Sequence, residues 1–242
     1  MKSAESLLGR LPRLSQSTAL RMGVTCAAFH TAGCATVHMA TPTDVVQTSE
    51  EIPVTDRSSA SGALVDESFK MGAYQVVNVD RKSDSSRGFS IAGISAGSTR
   101  GGYGYAVKSA AAEHKGQCAT QNEQQAARLL GGSLEQARAN VVCECAGPSA
   151  ASLFIGADSV AGYRGTVRLG GGNYTLTPIF ESQQGSTHGT PLGYDVRGVI
   201  PAGAVEVSGK GRIWLNRTLG PDAKADLACL FAGLLLYKPP AP

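Results

Sequence analysis

The pentapeptide Gly93-Ile94-Ser95-Ala96-Gly97 fits the G-x-S-x-G pattern, which holds a nucleophilic serine on a sharp strand-to-helix turn. The strand-like stretch 89–92 precedes it, and Asp158 and His188 follow in the order Ser, Asp, His. An envelope serine hydrolase using Ser95 is therefore the enzyme reading of this chain. Such an elbow depends on a helix that starts directly after the serine, because the helix N-terminus and the next N–H stabilise the oxyanion. Here Gly97-Ser98-Thr99-Arg100-Gly101-Gly102 follows, with no helical periodicity. The expectation is that Ser95 is a Gly-rich strand end or loop position and that the chain has no catalytic residue. No phosphate-binding loop and no dinucleotide fingerprint occur, so no cofactor is expected.

Cysteine is the other reactive residue type. Apart from Cys26 and Cys34 near the N-terminus, the chain carries Cys118, Cys143, Cys145 and Cys229. An even number in an exported chain predicts two disulfides, with three connectivities. If 141–145 is a strand, Cys143 and Cys145 point to one face and cannot readily close on each other. Each then bridges elsewhere, one to Cys118 and one to Cys229. The competing chemistry is zinc held by His114, Cys118, Cys143 and Cys145, but neither pair has the usual ligand spacing, so no metal is expected. His38, His114 and His188 read as solvated surface histidines.

Export itself is argued from the first 33 residues. Lys2, Arg10, Arg13 and Arg21 stand against Glu5 alone, ahead of the mildly apolar stretch 22–32. A positive flank, an apolar segment and then small residues make the order of a signal peptide. The segment ends in Thr31-Ala32-Gly33-Cys34-Ala35, which resembles the lipobox of bacterial lipoproteins of the Gram-negative outer-membrane type, with Thr31 in place of the usual Leu. The resemblance implies that Cys34 carries fatty acyl chains such as palmitate and becomes the mature N-terminus. It also implies that Ala35 directs sorting to the periplasmic face of the outer membrane. It spans five residues and names an address, not an activity. Several acyl chains make a lasting anchor where one holds only marginally.

The elements that must position these residues are mostly strands. Residues 34–62 are rich in Ser and Thr without sustained apolar periodicity, and read as a lipid-anchored flexible tether. Strands are expected over 74–79, 88–91 and 103–107, then a helix from the capping box Thr120/Glu123 to Gly131-Gly132. A further strand covers 141–145. Alternation over 163–169 and the return at 174–177 make one hairpin, and 205–207 with 212–215 make another. A C-terminal helix starts at Pro221 and runs through the apolar stretch 227–237. The fold class expected is α+β: antiparallel hairpins, a short central helix, and the C-terminal helix packed on the sheet. The domain would span 63–242, with a sub-boundary near residue 147.

Composition supports a globular chain. Of 242 residues, 42% are hydrophobic and 17% charged, which excludes a disordered tail, a collagen-like fibre and a coiled coil. Without residues 1–33, Lys+Arg and Asp+Glu balance at 18 each. Arg164, Arg168, Arg197, Lys210, Arg212 and Arg217 could form a basic sheet face, but neutrality argues against nucleic acid as a partner. The partners expected are the membrane, through the lipid, and a cell-envelope protein or polymer. The function expected is a structural or binding role in the cell envelope.

Overall fold

The computed structural model describes residues 36–58, 67–82, 89–91, 94–96, 102–120, 138–157 and 163–237. A helix α1 (Thr43–Thr48) leads into β1 (Ser49–Thr55), followed by β2 (Phe69–Met71), β3 (Tyr74–Lys82), β4 (Phe89–Ile91) and β5 (Ile94–Ala96). Then come β6 (Gly102–Lys108), β7 (Glu113–Ala119), β8 (Arg138–Ala146), β9 (Ala150–Ala157) and β10 (Gly165–Leu169). The last elements are β11 (Gly172–Ile179), β12 (Gly193–Arg197), β13 (Pro201–Glu206), β14 (Arg212–Asn216) and α2 (Pro221–Leu236).

Twelve of these strands form one closed barrel in the order β1-β14-β13-β12-β11-β10-β9-β8-β7-β6-β3-β2, with β2 pairing back on β1. The pairings are antiparallel throughout, and β4 and β5 make a separate two-stranded sheet. The wall is built by alternation: His114, Gly116 and Cys118 of β7 are buried, whereas Glu113, Lys115 and Gln117 between them are exposed. Val167 and Leu169 of β10 alternate with the exposed Thr166 and Arg168 in the same way.

A barrel of twelve strands has a lumen too wide for wall side chains alone to fill. Here α2 fills it. Every residue from Ala225 to Leu236 is buried, and the helix packs against β3, β6, β7, β8, β9, β10, β13 and β14, all around the wall. A helix that is apolar on every face must be enclosed on every face. Its backbone, roughly 10 Å across with side chains, matches that space. Cys118 is bonded to Cys143 across β7 and β8, and Cys145 to Cys229, which ties the helix to β8. The Tyr103 hydroxyl donates to Gly233 O at 2.8 Å and the Tyr105 hydroxyl to Cys229 O at 2.9 Å. Two glycines make this approach possible. Gly116 faces Tyr105 across the ladder, and a Cβ there would lie 2.1 Å from the ring. A Cβ on Gly233 would lie 2.7 Å from Cys118 Sγ and 2.9 Å from Cys143 Sγ.

Several expectations are corrected. The fold is a closed antiparallel barrel and not α+β, and its C-terminal helix is threaded through the sheet and not laid on it. The short central helix expected at 120–131 falls, beyond Thr120, outside the described residues. The segment expected as a tether is part of the domain from Thr36 onward: α1 packs against β13, β14 and β1, Met39 and Val45 cluster with Ala204 and Trp214, and β1 is a wall strand. The expected boundary near 147 is the tight β8–β9 turn of a continuous wall. Two of the six cations that could form a basic face are paired with carboxylates. Arg197 pairs with Asp44 and Asp195, Arg212 pairs with Glu206 and Glu51, and Lys210 lies in the β13–β14 connection.

Substituting Gly233 with Val should destabilise the protein by about 1–3 kcal/mol through overpacking against the sulfurs. Gly189→Ala, where a Cβ meets nothing within 4 Å, should change stability by less than about 0.5 kcal/mol. Urea unfolding with the disulfides intact measures both. Burial also raises the phenols of Tyr103, Tyr105 and Tyr194 above their ordinary value. A folded-state value above the unfolded one means stability that is fully present below about pH 10 and is lost as pH rises toward the folded value. In an alkaline absorbance titration these three of the seven tyrosines should therefore ionise only together with unfolding.

Candidate functional site

The barrel has two unlike ends. At one, β2–β3, β6–β7, β8–β9, β10–β11 and β12–β13 are joined by two to four residues each, and α2 enters. At the other, the connections 56–68, 83–101, 120–137 and 180–192 are long, and α2 ends. Loops on a rigid scaffold are where binding residues concentrate, so the long-loop mouth is the first place to look.

The last carbonyls of a helix have no partner within it. In α2 they are met by two arginines brought from β1's end and from β3. Arg57 Nη2 donates to Leu235 O at 2.5 Å, and Arg81 Nη2 donates to Leu236 O at 2.8 Å. Arg57 Nη1 also reaches the carbonyls of Val207, Gly209 and Lys210 at 3.2–3.4 Å. Arg81 donates from Nε to Glu67 at 2.6 Å and lies 5.3 Å from the centre of the Tyr103 ring. Burial lowers the affinity of Arg57 for its proton, opposed by the Glu67 charge. Around these groups opens a recess of about 420 Å³, lined by Thr36, Arg57, Ser58, Glu67, Phe69, Arg81, Gly209, Lys210, Leu235 and Leu236.

At the short-turn end sits a second polar group. Asp226, wholly buried, accepts from the Ser149 hydroxyl through Oδ2. Its Oδ1 lies 3.1 Å from His114 Nε2, close enough for an ion pair but without hydrogen-bond geometry. The carboxyl stands between serine and imidazole, so this is not the order of a catalytic triad, in which the imidazole touches the serine. It fixes the entry of α2 against β7 and the β8–β9 turn. A third group clamps the N-terminal segment to the wall. Buried Glu206 accepts from the Met39 N–H at 2.9 Å, from Ser208 Oγ at 3.1 Å and from Arg212 Nε at 2.5 Å, with His38 Nδ1 at 3.1 Å.

The residues singled out from sequence fall as follows. Ser95 lies in β5, paired with Ser90 in a strand hairpin and not on a strand-to-helix turn. His188 lies in the 180–192 connection, its N–H donating to Phe180 O at 3.0 Å. Asp158, Cys34 and the signal segment lie outside the described residues. All four cysteines expected in disulfides are in them. That removes the zinc alternative and leaves His114 beside Asp226; among the described residues no three candidate ligands cluster for a metal. Sequence reasoning missed Arg57, Glu67 and Arg81, which no local pattern marks. It also missed Asp226, whose place at the head of an apolar run was the available signal.

No protein-family model, curated protein or solved structure matches this chain.

Arg81→Gln should remove the charged cap from Leu236 and one partner of Glu67. The expected cost is about 1–3 kcal/mol, read as a lower urea midpoint with an unchanged slope.

Proposed function

We propose that this is an exported, lipid-anchored binding protein of the cell envelope. In this reading Cys34 carries the lipid on the periplasmic face of an outer membrane, and the long-loop mouth meets the ligand or partner. A closed barrel with two disulfides is compatible with an envelope or outer-membrane location. The observation that carries the reading is Cys145–Cys229, because a bond holding the lumen helix to the wall needs an oxidising compartment to form and persist. The wall is not built to meet lipid. Its outward positions include Glu113, Lys115, Gln117, Arg168 and Thr175, all exposed, where a membrane-spanning barrel carries a continuous apolar band. Attachment then falls to the anchor. In the sequence, Ala35 alone stands between Cys34 and Thr36, and Thr36 lines the recess.

The test is metabolic labelling with an acyl-chain probe, in wild type and Cys34→Ser, combined with non-reducing alkylation of the exported protein. Incorporation lost in Cys34→Ser, with Cys118, Cys143, Cys145 and Cys229 all unreactive, is the expected result. Equal, absent incorporation in both, or four reactive thiols, would overturn the reading.

A further inference from the structure

We propose that the recess at the long-loop mouth binds a single-chain anionic amphiphile, of which a long-chain carboxylate is the simplest. Its lining includes the apolar Phe69, Leu235 and Leu236. It is also cationic. Arg57, Arg81 and Lys210 bring three positive charges against the one carboxylate of Glu67. The hydrogen bonds of Arg57 to four carbonyls occupy its donors but do not cancel its charge, and the helix terminus offsets only about half a charge. The recess therefore keeps a positive balance beside apolar surface, which favours an anion joined to a hydrocarbon chain. Its volume falls within the roughly 300–1,000 Å³ of small-molecule sites.

The donors decide between anion types. Arg57 and Arg81 are committed to the helix carbonyls and to Glu67. Lys210, exposed at the rim, has no carboxylate partner among the described residues. One mobile ammonium suits a carboxylate. A phosphate monoester, with nearly two charges and three acceptor oxygens, calls for more cations than the one that Lys210 supplies at this site. This inference rests on the proposed function only for the source of the ligand: a lipid-anchored envelope protein works next to a bilayer in which such amphiphiles partition.

The experiment uses the full chain as Cys34→Ser, so that its own acyl groups cannot compete. Dodecanoate is titrated calorimetrically below its critical micelle concentration, with dodecanol and inorganic phosphate as separate arms. Saturable binding of one dodecanoate is expected, at least about tenfold tighter than dodecanol. Lys210→Glu, its fold checked by near-ultraviolet circular dichroism, should weaken dodecanoate roughly tenfold and leave dodecanol unchanged. No binding of dodecanoate, equal affinity for dodecanol, full competition by phosphate, or an unchanged affinity in Lys210→Glu would each overturn the proposal. None of these outcomes depends on whether Cys34 is acylated in the cell, so failure here and failure of the anchor are separately visible.

Discussion

The packing of one apolar helix inside the closed wall is the contact on which everything else in this protein depends. Twelve consecutive residues of α2 are buried, and the inward side chains of eight strands have that helix as their common neighbour. Removing the helix would leave a lumen lined by Val107, Leu153, Val167, Leu176, Val205 and Ile213 open to water, at roughly 1.5–3 kcal/mol for each large side chain exposed. The wall would also lose the partners of two buried phenols, since Tyr103 and Tyr105 donate to helix carbonyls. A phenol left without a partner in that interior costs a further 1–3 kcal/mol or so. Wall and plug are thus one cooperative unit.

The helix also gives the barrel a direction. It enters where the turns are short and Asp226 is held by Ser149 beside His114, and it ends where its carbonyls need donors. Arg57, just past the end of β1, and Arg81, in β3, supply those donors, and β1 and β3 both neighbour β2. Meeting the helix terminus therefore concentrates positive charge at one mouth. The same side chains that complete the fold set the electrostatics of the recess at this end.

How much of this was legible in the sequence depends on the range of the signal. Hairpins were readable where both strands alternate and a glycine turn separates them, as in β10–β11 and β13–β14. The start of α2 was readable from Pro221. Strand β7 was not, because its inward positions are His114, Gly116 and Cys118, and a glycine chosen to admit the Tyr105 ring carries no hydrophobic signal. The region 43–55 was misread for a similar reason. Its Ser and Thr residues suggest a tether, yet Ile52 and Val54 are wall positions and Val45 packs with Trp214 and Met39 on the outer face. Barrel closure is a long-range property: β1 pairs with β14 across more than 150 residues, and no local window contains that information. For α2 the clue was in plain view. An apolar stretch without a polar face fits burial on all sides better than packing on one side of a sheet. The site was the least legible part, because Arg57, Glu67, Arg81 and Lys210 are brought together only by closure.

The two disulfides differ in what they report. Cys118–Cys143 joins neighbouring strands that the ladder already pairs, and it can form as soon as β7 meets β8. Cys145–Cys229 spans 84 residues and joins the wall to a helix near the end of the chain. In the folded structure its sulfurs meet with α2 inside the lumen. Closing a loop of that length restrains the unfolded chain by roughly 4 kcal/mol in the entropic account, a large share of an ordinary domain's stability. With Cys145 and Cys229 both buried once the barrel is closed, reductants reach the bond only through unfolding. The covalent link therefore holds the entering half of α2 to the wall, and the charged mouth lies at the other end of that helix.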